Sequence, residues 1–317
     1  MSPTLNPYLQ KTRLYRAVHH RLSTWYLRDK KTTVRHVLKI LLRKMQKDEI
    51  EPRANAVAFN LMLSVFPAII FLFTLIPYIP IPDLNGQIMF FLGQVLPKGI
   101  YQEIATTIYD IVSRPRGNLL SLGFFFAMYA ATNGMMSLIN AFNRSYRTVE
   151  QRSFIRKRLI AIALTFMLAF VLFLAVVVLI VGNIVLNWIS DHDLYHLLND
   201  QVNFFLISLL QYGVVFSVFF VALSVIYYVA PAVHKPWALF SVGSVLASVL
   251  SILATHLFSF YLKNFASYNK LYGSIGTFIG LMIWLYLLSF IILLGFEINV
   301  SIHEAQKENL NLSGAKT

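Results

Sequence analysis

The chain has 317 residues, of which 57% are hydrophobic and only 13% charged, and its mean hydropathy is +0.63. Soluble domains carry about 25% charge, so the polar surface is too small to cover a water-soluble globule, and both a disordered chain and a soluble enzyme are poor fits. Lys and Arg outnumber Asp and Glu by 27 to 14, an excess that in a membrane protein reads as positive loops on one face; the absence of cysteine excludes disulfides, thiolate zinc sites and cysteine nucleophiles.

Residues 1–53 form a basic hydrophilic region. No apolar stretch of signal type opens it, so targeting is expected to rest on the first span. Within 35–49, Val37, Leu38, Leu41, Leu42 and Met45 fall at helical spacing among Arg35, Lys39, Arg43, Lys44 and Lys47. This predicts a basic amphipathic helix, either lying on an anionic leaflet or docked on the bundle. Its charge lies beside a span and no nucleic-acid motif accompanies it, so no nucleic-acid partner is expected.

A helix needs about 20 mostly apolar residues to cross the hydrocarbon core. Six such runs follow, at 54–78, 119–142, 159–189, 204–229, 237–262 and 275–302. The third is the longest and is expected to tilt or to extend past the interface. The expected fold is all-α: a polytopic membrane protein with a 1–53 basic region, a 54–302 six-helix domain and a 303–317 tail. Between the first two spans, 84–96 carries Leu84, Ile88, Phe91, Leu92 and Val95 on one face. Segment 100–112 carries Ile104, Ile108, Ile111 and Val112, and Pro97 and Gly99 separate the two. Two short external amphipathic helices are expected, as gates over a cavity or as packing lids.

Segments 1–53, 143–158, 230–236 and 303–317 hold thirteen, six, one and two Lys or Arg, whereas 79–118, 190–203 and 263–274 hold three, none and two. Twenty-two against five places both termini in the cytoplasm by the positive-inside rule.

Within lipid, small residues and polar contacts hold helices together. Gly123, Ala127, Ala131, Gly134, Ser137 and Ala141 align on the second span. Ser241, Ser244, Ser248, Ser251, Thr255 and Ser259 align on the fifth, and Gly273, Gly276 and Gly280 open the sixth. Such stripes serve as helix seams, and the hydroxyl row can equally line a wet path. The Gly276–Gly280 pair permits a homo-oligomer and serves intramolecular packing equally well. On the first span Arg53, Ala56, Asn60, Ser64 and Pro67 share a face. Pro67 removes a backbone hydrogen bond and crowds the Leu63 carbonyl, which in lipid must find a partner inside the protein. Asn60 and Ser64 are candidate path residues, and a structural kink is the alternative. Asn133, Gln211 and His256 are further buried polar candidates. Glu297 is the one carboxylate inside a span, near the inner end of the sixth. An ion pair to Arg53, Arg144 or Arg147 is expected, with Asn299 nearby, as a clamp or as a gate.

Catalytic chemistry is scarce: no nucleophile elbow, zincin, P-loop or dinucleotide motif occurs. His192, Asp193 and His196 are a weak metal candidate. No cofactor is expected.

The stretch from Arg53 through Asn60 and Ser64 to Pro67 resembles the first-span signature of the YihY/BrkB inner-membrane proteins. So do Asn269 to Gly276, Leu281 to Tyr286 and Gly295 to Asn299, over roughly residues 35–305. The resemblance implies a bacterial inner-membrane protein of a family tied to virulence through one branch. Some members carry a ribonuclease BN label, which this chain's residues do not support. No substrate or catalytic residue transfers. The expected function is transport or translocation of an amphiphilic or lipid-like substrate, with Asn60, Ser64, Pro67, Asn133, Ser244 and Ser248 along the path and membrane lipids as partners. A non-enzymatic envelope scaffold is the alternative, and an RNA-processing nuclease the remote one.

Overall fold

A computed structural model describes residues 32–47, 50–78, 86, 88–90, 98–146, 150–191, 200–232, 238–264 and 274–314. These contain the helices α1 (Val34–Lys47), α2 (Ile50–Leu75, closed by a 3-10 turn at Ile76–Tyr78), α3 (Lys98–Ser113), α4 (Gly117–Ser145), α5 (Phe154–Asp191), α6 (Asp200–Val229), α7 (Val242–Asn264) and α8 (Ser274–Gly314). Strands are absent among the described residues. Six helices, α2 and α4 to α8, are long and apolar enough to span a membrane. The all-α polytopic expectation therefore holds, and the chain is a multi-pass membrane protein.

Several boundaries move. The fifth span starts at Val242, because Ser241 caps it: the Ser244 N–H donates to Ser241 Oγ at 3.2 Å, which satisfies a free first-turn donor. The third span begins at Phe154, so Arg156, Lys157 and Arg158 stand on the helix itself. The sixth does not stop at residue 302. It continues as one 41-residue helix to Gly314, with nothing in the sequence before that glycine to break it. The expected second external helix is α3; the first, over 84–96, lies largely outside the described residues.

α1 packs on the extension of α8, with Val37, Ile40 and Ala305 buried together against Ile302. His36 and Glu308 meet at 2.9 Å across the same contact. Leu38, Leu42 and Met45 remain exposed on its outer side.

Bare apolar side chains cover the outside of the bundle, among them Phe125, Phe173, Leu257 and Phe260, as lipid contact requires. The core gathers at the end that bears α1, hereafter the base. Phe142 stacks on Phe296 with centroids 4.2 Å apart, and Tyr227 meets both edge-on. Such aromatic pairs add about 0.5–1.5 kcal/mol each beyond their burial. The Tyr227 hydroxyl donates to the Ile292 carbonyl at 2.6 Å. Two close crossings fix the helices around this core. A Cβ at Gly134 would meet Leu61 Cδ2 at 2.6 Å, which sets α4 against α2. A Cβ at Gly243 would meet the Gly295 carbonyl oxygen at 2.0 Å, which sets α7 against α8.

Candidate functional site

Antiparallel packing of α2 on α4 sets Arg53 opposite Ser145 and Asn60 opposite Ser137. The Arg53 guanidinium, 6% exposed, donates to the Ala141 carbonyl at 3.0 Å, to the Ser145 hydroxyl, and to Glu297 Oε1 at 3.2 Å. Glu297 is fully buried. Its other oxygen accepts no hydrogen bond among the described residues and has Lys44 Nζ at 3.9 Å. Lys44 pairs with Glu304 at 2.7 Å and donates to the Ser145 carbonyl at 3.3 Å. One buried cluster thus ties α1, α2, α4 and α8 at the base. A buried pair of this kind is costly to break from one side, because the remaining charge is left without a partner.

Of the basic residues expected around Glu297, the structure brings in Arg53. Arg144 points elsewhere, and Arg147 lies outside the described residues. Lys44 was missed; its signal is its place on the polar side of an amphipathic helix ending close to Arg53. Asn299 faces away from Glu297, since residues two apart on a helix point about 200° apart. It accepts from the Gly243 N–H at 2.8 Å and donates to Ser241 Oγ at 2.8 Å, which fixes the start of α7.

Beside this cluster, a cleft of about 400 Å³ opens between α2 and α4, lined by Arg53, Ala56, Ser137, Asn140, Ala141, Asn143 and Arg144. Asn60 lies one turn above Ala56 and donates to the Ala56 carbonyl at 2.8 Å and to Ser137 Oγ at 2.9 Å. From α5, Lys157 donates to Asn140 Oδ1, and Arg158 donates to Asn133 Oδ1 at 2.6 Å while lying 4.9 Å over the Tyr129 ring. Asn133 is near the middle of α4, so a polar track runs from the base to mid-helix. Below it, Glu150 binds Arg152 at 2.8 Å and Asn143 at 2.7 Å, and Arg152 also donates to the Ala230 carbonyl. The Arg152 hydrogen bond holds the Glu150 carboxyl below the usual carboxylate range.

The remaining candidates do not join this track. The Ser64 hydroxyl donates to Leu61 of its own helix at 2.6 Å, and α2 runs through Pro67 without interruption. Ser244 and Ser248 are fully buried on α7; Ser244 donates to the carbonyl of the cap residue Ser241 and Ser248 to the Ser244 carbonyl of its own helix. His256 is exposed, with its ring 5.7 Å from Tyr212. Gly280 is buried on α8 and Gly276 sits in its first turn. His192, Asp193, His196 and Gly273, and the side chain of Gln211, lie outside the described residues. Among the described residues, no three His, Asp or Glu side chains gather to hold a metal.

The fold and the cleft define a helical multi-pass membrane protein with a polar track open on its side. The family model described as Virulence factor BrkB matches residues 41–316, and the chain belongs to that family. It is 30% identical to the ribonuclease-like protein YfkH of Bacillus subtilis (strain 168), over 85% of this chain and 96% of the relative. It is 24% identical to a UPF0761 membrane protein of Tolumonas auensis over 86% and 87% of the two chains. The UPF0761 membrane protein PBPRA3489 of Photobacterium profundum is 25% identical over 90% and 86%. No solved structure matches the chain significantly.

Proposed function

We propose that the protein translocates an amphiphilic or lipid-like substrate across the bacterial inner membrane without catalysing a reaction. The observation that carries this reading is the polar track on the side of the bundle, from Arg144 at the base through Asn140 and Ser137 to Asn133 at mid-helix. A polar head moving along it would exchange water for amides and guanidinium groups while its chains stayed in lipid, which lowers the cost of bringing charge into the hydrocarbon. Pro67, two turns along α2 from Asn60 and outside the track, gives that helix a deformable point. Arg53, Lys44 and Glu297 hold the base closed as a latch. The basic excess of the segments at the base supports a cytoplasmic base with both termini on that side.

The test is a vesicle assay with a fluorescent phospholipid whose outer-leaflet fraction is read by chemical quenching. Reconstituted protein should speed exchange between leaflets. Glu297→Gln should slow it, and Ser137→Leu, which fills the cleft and leaves the latch intact, should slow it as well. Exchange no faster than in protein-free vesicles, or unchanged in both variants, would overturn the proposal.

A scaffold role is favoured by one observation, the outward side of α1 with Leu38, Leu42 and Met45 bare among Arg35, Lys39 and Arg43. That role requires stable co-purifying partners that are lost when these three apolar residues become serine.

A further inference from the structure

One face of α4 changes character along its length. Phe126, Tyr129, Asn133, Ser137, Asn140 and Arg144 follow one another at intervals of three or four, so they form a single stripe. Its upper part is apolar and bare: Phe126 and Tyr129 are each 61% exposed, and Leu122 one turn above is 55% exposed. Its lower part is polar and borders the cleft. From Leu122 to Asn133 the helix rises about 16 Å, close to half of the roughly 30 Å hydrocarbon core. From Asn133 to Arg144 it rises about 16 Å again.

Charge is unbalanced along the polar part. The Arg144 side chain makes no ion pair or hydrogen bond with any described residue. The side chains of Lys157 and Arg158 give their hydrogen bonds to neutral groups, the Asn140 and Asn133 amides and the Tyr129 carbonyl. The nearby carboxylates are engaged elsewhere, Glu297 by Arg53 and Glu150 by Arg152. Three cations therefore border one track, and no described carboxylate pairs with them. Cations beside hydrocarbon are costly unless an anion accompanies them, and a guanidinium fork matches the oxygens of a phosphate group.

We infer that this track binds the phosphate-class anionic head of an amphiphile through Arg144, Lys157 and Arg158, with its apolar chain laid along Tyr129, Phe126 and Leu122. The site rests on the translocation reading and adds to it the charge of the head and the place of the tail. A zwitterionic head brings its own cation and gains less from three more.

The test uses the full chain in phosphatidylcholine nanodiscs loaded with a fluorescent phosphatidylglycerol. Short-chain phosphatidylglycerol, short-chain phosphatidylcholine and inorganic phosphate are titrated in as competitors. Phosphatidylglycerol should compete about ten-fold more tightly than phosphatidylcholine. Arg144→Gln, at an exposed position whose side chain has no partner among the described residues, should weaken phosphatidylglycerol several-fold and leave the unfolding temperature unchanged; Lys157→Gln should act in the same direction. Equal affinity for the two lipids, or indifference to both substitutions, would overturn the site. Competition by inorganic phosphate as strong as by phosphatidylglycerol would overturn the tail assignment and make the anion a soluble one. Binding without exchange in the vesicle assay would sink the translocation reading and leave the site standing, whereas exchange without head preference would do the reverse.

Discussion

The α7–α8 seam and the α2–α4–α5 track are both built from short polar residues at helical spacing, yet one is shut and the other open. In the seam, Gly243 and Gly295 let the backbones touch, and along the same α7 helix Ser244, Ser248 and Ser251 are fully buried. The hydroxyls of Ser244 and Ser248 turn back to the carbonyls of the cap residue Ser241 and of Ser244, so they ask nothing of the neighbour and leave a dry contact. In the track the polar groups are amides and guanidinium ions, which reach beyond their own helix. Asn60 reaches Ser137, and Arg158 reaches Asn133. The close crossing of α4 on α2 at Gly134 therefore coexists with an open cleft where these longer polar groups line both helices. Small residues close a contact; amides and cations at the same spacing border an opening.

The largest expected effect lies where the track meets the latch. Arg53→Ala or Glu297→Ala alone should cost about 3–5 kcal/mol of stability, because the first leaves the buried Glu297 with only Lys44 at 3.9 Å and the second takes the carboxylate from the buried Arg53 guanidinium. Replacing both, Arg53→Met with Glu297→Leu, should cost much less than the two single changes together. Unfolding in mixed detergent with a denaturing surfactant measures this. Additive losses would show that the two residues do not act as a pair.

The comparison itself is sharpened by one substitution in each region. Gly243→Val forces atoms into the space of the Gly295 carbonyl and should cost at least the 1–3 kcal/mol typical of overpacking. Ser137→Ala in the track removes one interhelical hydrogen bond and should cost about 0.6 kcal/mol, the average for such bonds in membranes. Lipid exchange should respond in the opposite order once the Gly243 variant is compared at equal folded fraction. Equal stability losses at the two positions would abolish the distinction between seam and track.

Much of this was legible in the sequence because membrane solvation imposes a length and a composition on each span. The six spans, the seam residues Gly123 and Gly134, and the need of Glu297 for a basic partner all follow from that rule. What was not legible depended on direction. Nothing in the order of residues shows that Asn299 leaves Glu297 for α7, or that Arg144 turns from Glu297 into the cleft. Lys157 and Arg158 read as loop charge that fixes orientation, and only the start of α5 at Phe154 places them on the helix. The Gly243–Gly295 crossing was hidden because Gly243 is the single glycine of α7 and Gly295 lies well beyond the Gly276–Gly280 pair on α8, and a close approach of two backbones has no pattern within one helix.

The smallest expected effect tests whether the mouth of the track is held by charge. Glu150 anchors the α4–α5 connection through Arg152 and Asn143, and the Arg152 hydrogen bond depresses its carboxyl below the ordinary value of 4.5. A carboxylate whose folded pKa is depressed stabilises the fold above its unfolded pKa and loses that contribution as pH falls through the folded one. The unfolding temperature of the wild-type protein should therefore fall between about pH 5 and pH 3 with a component that Glu150→Gln lacks. Arg152 would keep its bond to the Ala230 carbonyl in that variant, so the connection should loosen without unfolding. Identical pH profiles for the two proteins would mean that the connection is held by the Asn143 and Arg152 contacts to the end of α6, with the Glu150 charge contributing nothing.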